Sequence, residues 1–335
     1  MPIFNLLTKR KFWFIIKNKI YRRRNMKDKN FFQRPIPLLL CAVIATALWG
    51  SAIPAIKIGY DLFGIAESGA PTKFVFAGVR FVLAGIIVII FDCISKKRIV
   101  VPRKDEIKGI FALSMVQTTV EYIFFYLSLI YLSGVKGSIL NSIGNFFAVI
   151  LAHFVFVNDK INIRKSVGCL LGFCGVVFCC FENGLDLSFT FKGDGFILIA
   201  AFCFALGSVI TKVVTRKSDS VTVTGWQLTI GGFVLLIIGI ICGGRISFPS
   251  SEAIAMLLYL AVISSCAFTL WAQLLKYNPV GKISVYCFLN PCFGVILSGI
   301  MLGENIFNIR TIAALVLVCL GIYIVNVKGK NEQKA

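Results

Sequence analysis

Two charged residues stand inside apolar stretches. Glu121 lies in "SMVQTTVEYIFFYLSL", residues 114–129, and Arg80 lies in "GVRFVLAG", residues 78–85. A charge at the centre of a bilayer costs about 2.5 to 3.5 kcal/mol on insertion scales, so such residues mark functional sites by default. A guanidinium can hold a carboxylate or phosphate in a forked pair, and a carboxylate can hold an amine or carry a proton. Arg80 is nine residues past Pro71, where its apolar segment begins, and Glu121 is nine before Ile130, where its segment ends. Nine residues of helix span about 13 Å. Equal depth on consecutive helices predicts an Arg80–Glu121 ion pair. Three roles stay open for it: locking two helices together, holding a solute in a cavity, or coupling transport to protons.

Further polar residues sit at comparable depth. Asn141 and Asn145 are spaced i, i+4 and should share one helix face, either lining a cavity or bonding between helices. Tyr286 and Asn290 have the same spacing in a later segment. Trp49, Ser51, Tyr122 and Gln227 complete a candidate substrate ring, whose aromatic members would suit an apolar or aromatic ligand or simply pack. Pro54 can kink or gate its helix, Lys57 should snorkel to an interface, and His153 reads as a packing histidine.

These residues need helices to hold them. The 335-residue chain is 58% hydrophobic and 15% charged, with a mean hydropathy of +0.86, which marks an integral membrane protein. Ten segments are long enough to cross about 30 Å of hydrocarbon. They run from Ile36 to Gly59, Pro71 to Asp92, Ile107 to Ile130, Val135 to Val157, Ile163 to Phe181, Gly193 to Thr215, Val221 to Cys242, Glu252 to Leu275, Gly281 to Leu302 and Ile309 to Val327.

The net charge of +20 would suit nucleic acid, but its placement argues otherwise. Of the 35 Lys and Arg, 28 fall in segments on one side, 11 of them in the N-terminal tail, while the five loops on the other side hold one each. That asymmetry predicts ten spans with both termini cytoplasmic, and anionic lipid as the partner of the basic surface rather than nucleic acid. The twelve cysteines form no CxxC pair, and His153 is the only histidine, so neither a zinc site nor another cofactor is expected. The basic, aromatic first 25 residues carry a five-residue apolar block, too short for a signal peptide, and read as an extension.

The chain repeats itself. Val135, Asn145 and Asp159 fall on Val280, Asn290 and Glu304; "NIR" at 162–164 falls on "NIR" at 308–310; Gly78, Arg80 and Gly85 fall on Gly225, Gln227 and Gly232. Glu121 falls on Cys266, so both charges vanish together in the second copy, as a pair would require. Five helices per copy is odd, so the second copy enters from the opposite side. Inverted repeats place a solute site near the midplane and expose it alternately to the two sides.

"RFVLAG", "VNDKINIRKSVGCLLGFCGVVF" and "LNPCFGVILSGIMLGENIFNIRTIAALVLVCLGIYIV" resemble the paired EamA domains of the drug/metabolite transporter superfamily over about residues 36 to 328. The resemblance implies peripheral fifth and tenth helices around a central cavity, and a carrier of amino acids, other metabolites, nucleotide sugars or drugs. The expected fold is therefore all-α, polytopic and ten-helical, in two inverted five-helix repeats. The expected layout is a basic cytoplasmic tail at 1–35, repeats at 36–183 and 193–328 joined by a linker at 184–192, and a short tail at 329–335. Asn290-Pro291 faces Asn145-Phe146 across the repeat, so a helix break is expected in the second half only. Gly168, Gly172 and Gly175 suit close helix packing, a homodimer being one way to use them.

The expected function is secondary transport of a small amino-acid-like or drug-like solute across a bacterial plasma membrane by alternating access. An enzyme is disfavoured because there is no GxSxG motif, one histidine and no paired intramembrane carboxylates. A lipid-handling or assembly protein without solute flux is the alternative.

Overall fold

The computed structural model describes residues 30–132, 134–180, 188–302 and 309–327, and all regular structure among them is helical. Residues 1–29 of the basic tail, 184–187 of the linker, the C-terminal tail and Glu304 lie outside the described residues. Helix α1 spans Pro35–Leu62, α2 Ala70–Lys96 and α3 Lys104–Ser128. Helix α4 is Gly134–Ser142 followed by Gly144–Val155, α5 is Ile163–Cys180, α6 Phe191–Thr215, α7 Ser220–Ile241 and α8 Ser251–Tyr277. Helix α9 is Val280–Ser284, a 3-10 turn at Val285–Phe288, and Leu289–Leu302; α10 is Ile309–Asn326. Eight of these helices, all but α5 and α10, are long and apolar enough to cross a membrane.

Local chemistry sets the helix ends. Asp219 caps α7 by accepting from the Val221 and Thr222 amides at 2.9 and 3.2 Å, and Ser250 caps α8 through Ala253 at 3.2 Å. Gly64 turns the chain out of α1 with φ +63°, a conformation that favours glycine. Inside the helices, glycine serves close approach instead. A Cβ on Gly85 would meet the Thr229 amide at 2.5 Å and the Gly225 carbonyl at 2.6 Å, so α2 and α7 pack backbone to backbone.

Pairing follows a regular scheme. Helix α2 packs on α7 and α5 on α10, while α1 packs on α8 and α9, and α6 on α3 and α4. The glycine stripe of α5 is covered within the chain: a Cβ on Gly168 would strike the Gly321 carbonyl at 2.7 Å, and one on Gly175 would strike Ala314 at 2.8 Å. The stripe thus serves packing within the chain.

Breaks occur in both halves, not in the second alone. Helix α4 is interrupted at Ile143, where Phe146 donates to the Ile143 carbonyl at 2.9 Å in a tightened turn. The following Gly144 lets α4 approach α6, since a Cβ there would lie 2.9 Å from the Ala201 carbonyl. In α9 the 3-10 turn precedes Pro291, which sits in the first turn of the next helical segment, where its missing N–H costs least. Helix α1, by contrast, stays helical through Pro54.

Polar ties close one end of the bundle. Asp159, just past α4, takes Lys165 Nζ at 2.5 Å and the Gly281 amide of α9 at 3.0 Å. Lys212 of α6 donates to the Leu275 carbonyl at 3.0 Å and to the Asn278 carbonyl. Lys96 joins α2 to the cap of α7 through Asp92 at 2.8 Å and Asp219 at 3.3 Å. At the opposite end, Lys136 pairs with Asp194 at 2.8 Å.

Candidate functional site

Helix α3 is not a uniform α-helix. Met115–Val120 forms a π-helical turn directly before Glu121, and such turns insert a residue and recur at functional sites. One inserted residue rotates everything after it by about 100° of helix face. Within the turn, Thr118 donates to Gln227 Oε1 at 3.0 Å, Thr119 to the Gly231 carbonyl at 3.1 Å, and Gln117 accepts from Thr211 at 3.3 Å. The turn thus binds α3 to α6 and α7. Helix α8 runs unbroken and its Cys266, the residue on which Glu121 falls in the sequence, is exposed, so that sequence correspondence does not define a shared face.

The expected Arg80–Glu121 ion pair is absent. Tyr122 and Tyr126, one turn apart, face Arg80 from α3; Glu121, one residue earlier, points elsewhere. Its carboxylate lies within electrostatic range of Cys203 on α6 and Cys287 in the α9 turn. Glu121 Oε2 is enclosed and has no hydrogen-bond partner among the described residues.

Arg80 is 3% exposed, and its Nε and Nη1 donate to nothing among the described residues. Its guanidinium carbon stands 4.5 Å from the Phe81 ring centre and 6.0 Å from that of Tyr122, and the two rings meet edge to face at 4.4 Å. Ring contacts of this kind contribute about 0.5 to 2 kcal/mol but satisfy no N–H. The Tyr122 hydroxyl lies beside the guanidinium, and the hydroxyls of Tyr60 and Tyr126 are within its electrostatic range. Those of Tyr60 and Tyr126 approach each other, yet neither makes a full hydrogen bond.

An aromatic chain leads from Arg80 across the seam. Phe81 meets Phe268 of α8 at 6.2 Å, and Phe268 meets Trp49 of α1 at 5.4 Å. Trp49 in turn meets Trp271 at 5.2 Å and Phe204 of α6 at 5.8 Å. Phe268 and Trp271 also wall a narrow cleft with Gln117, Thr211, Thr224 and Gln227, which has room for little more than a water molecule. The Trp271 indole N–H is buried without a partner among the described residues.

Of the expected site residues, Arg80 and Tyr122 meet, Trp49 is linked to them through Phe81 and Phe268, and Gln227 shares a cleft with Phe268 and Trp271. The others separate. The break at Ile143 undoes the i, i+4 relation of the asparagines: Asn145 is buried and Asn141 is exposed. Tyr286 is buried in the core and neighbours Asn326 of α10, away from the aromatic chain. Asn290 is half-buried, with Oδ1 enclosed and unpartnered. Ser51 donates to the Leu48 carbonyl at 2.8 Å and accepts from Tyr259 at 3.2 Å, serving the α1–α8 contact. His153 Nδ1 accepts from the Ile161 amide at 3.0 Å, as a packing histidine should.

Sequence reasoning missed Phe81, Tyr126, Phe268 and Trp271, and the run Gln117-Thr118-Thr119. The signal was present in that three-residue polar run inside an apolar segment, and in the i, i+4 spacing of Tyr122 and Tyr126. Among the described residues no group of His, Cys, Asp and Glu could hold a metal.

A sequence profile described as the EamA-like transporter family matches residues 36–181 and 191–327. A WAT1-related chloroplastic protein of Arabidopsis thaliana is 27% identical over 297 residues, covering 85% of this chain and 68% of its own. The uncharacterized transporter YoaV of Bacillus subtilis is 23% identical over 296 residues, covering 86% and 96%. An uncharacterized transporter of Archaeoglobus fulgidus is 26% identical over 297 residues, covering 86% and 97%. One solved structure, titled only as the crystal structure of a protein, shares the fold with a TM-score of 0.72 at 15% identity, over 86% of this chain and 95% of that one.

Proposed function

Because the chain belongs to the EamA-like transporter family, we propose that it is a secondary transporter moving a small organic metabolite across the plasma membrane by alternating access. The working unit in this reading is ten membrane helices in two inverted repeats, 36–183 and 193–328, with both termini cytoplasmic. The pairing scheme supports it. Under a two-fold exchange of halves α2–α7 and α5–α10 map onto themselves, α1–α8 maps onto α6–α3, and α1–α9 onto α6–α4.

The observation that carries the proposal is the convergence of buried polar and aromatic groups on the seam between the halves. Arg80, Tyr122 and Trp49 belong to the first half, and Phe204, Gln227, Phe268 and Trp271 to the second. A solute seated there contacts both halves, so rocking one against the other changes which side it faces. In this conformation the rings fill the seam, and the ties through Asp159, Lys212 and Lys96 hold shut the end that the basic-residue count assigns to the cytoplasm.

Reconstitution into proteoliposomes tests this reading. Labelled amino acids, nucleosides, amines and organic acids are offered with and without excess unlabelled solute inside. Saturable uptake with counterflow is the expected result. Absence of flux for every class, with copurifying lipid or a protein partner, would instead favour an assembly or lipid-handling role.

A further inference from the structure

Resting on that transport reading, we infer that Arg80 and the tyrosines around it form an anion subsite that takes a single carboxylate of the transported solute. The Tyr122 hydroxyl reaches the guanidinium, but no anion does among the described residues. Arg80 is 3% exposed, its Nε and Nη1 are unpartnered among the described residues, and the buried hydroxyls of Tyr60 and Tyr126 beside it are unpartnered too. A buried guanidinium left unpaired is costly, and a carboxylate accepts from a guanidinium fork and from tyrosine hydroxyls together.

The nearest intramembrane anion, Glu121, does not serve as that acceptor, because Tyr122 and Tyr126 occupy the α3 face towards Arg80. At the start of α2, Lys73 Nζ stands 5.3 Å from the Tyr60 ring centre. It adds positive charge on the approach from that end and so attracts an anion. Beyond Arg80 the surroundings turn aromatic: Phe81, Phe268 and Trp49 follow in sequence, with no charged side chain among them. One guanidinium matches a single carboxylate, whereas a polyanion would leave several charges unmatched. The chemistry therefore selects a monocarboxylate.

Binding to the purified full chain in detergent tests this with matched probes, each acid against its own amide: benzoate, 3-phenylpropionate and indole-3-acetate. Quenching of Trp fluorescence and thermal shift report binding. At least one acid is expected to bind at least about tenfold more tightly than its amide, with that preference lost in Arg80→Gln and partly kept in Arg80→Lys, which also controls for folding. Equal binding of acid and amide, an unchanged preference in Arg80→Gln, or binding of no acid would overturn the anion subsite. Transport itself is separable: saturable flux of neutral or cationic solutes alone would sink this inference and leave the carrier reading standing.

Discussion

Asp159 Oδ2 accepts the Gly281 amide at 3.0 Å while its Oδ1 takes Lys165 Nζ, so one carboxylate fastens the end of α4 to the first turn of α9. Asp159 is 2% exposed and Lys165 is 9% exposed. Removing the carboxylate strands a buried ammonium and uncaps a helix start. We predict that Asp159→Ala lowers stability by about 3 kcal/mol, by the rule for broken buried pairs, and raises hydrogen exchange at residues 279–285. Asp159→Ala combined with Lys165→Met should regain part of the loss. Unchanged exchange in the single variant would show that the two halves are not held there.

Glu121 and Arg80 act independently in this structure. A double-mutant cycle on Arg80→Gln and Glu121→Gln, read as thermal or denaturant stability, should therefore be additive to within about 0.5 kcal/mol. Coupling of 3 kcal/mol or more would restore the direct ion pair.

Close packing of α2 on α7 depends on glycine where backbones touch. Gly85→Ala is predicted to cost about 1 to 3 kcal/mol through overpacking against Thr229 and Gly225. Gly69→Ala is the control, since its Cβ would meet only Pro71 Cδ, at 3.6 Å. Thermal unfolding in detergent should separate the two variants by several degrees.

Asp219 gives a pH signature outside the spans. Partial burial works against its charged form, but the amides of Thr222 and Val221 and the Lys96 ammonium outweigh this and hold its carboxyl below the ordinary 3.8. A depressed folded-state value means that the stabilisation is present above the unfolded value and fades as pH falls through the folded one. Asp219→Ala should cost about 1 kcal/mol, the usual worth of a cap, with a constant gap from the wild type between pH 7 and pH 5. The gap should shrink only below about pH 4. A gap that closes near neutrality would mean that another group is responsible.

Much of this architecture was legible from the residues. Apolar runs located the helices, because burial in lipid is a long-range constraint that any 20-residue window records. The glycines of α5 foretold close helix packing, and α10 supplies it at Gly321 and Ala314. What failed was rotation about the helix axis. The π turn at 115–120 swings Glu121 away from Arg80, and the break at Ile143 separates Asn141 from Asn145. Both are one-residue irregularities in backbone hydrogen bonding, fixed by tertiary partners such as Gln227 and Ala201 that lie far away in sequence. Depth survives such an irregularity; facing does not.

The central claim is that the seam around Arg80 is where a transported solute sits. The most direct test is counterflow in proteoliposomes, comparing wild type, Arg80→Gln and, as a control remote from the seam, Asp219→Ala. The account predicts saturable exchange of a monocarboxylate in wild type and Asp219→Ala, reduced at least about tenfold in Arg80→Gln. Equal saturable exchange in all three proteins would contradict it.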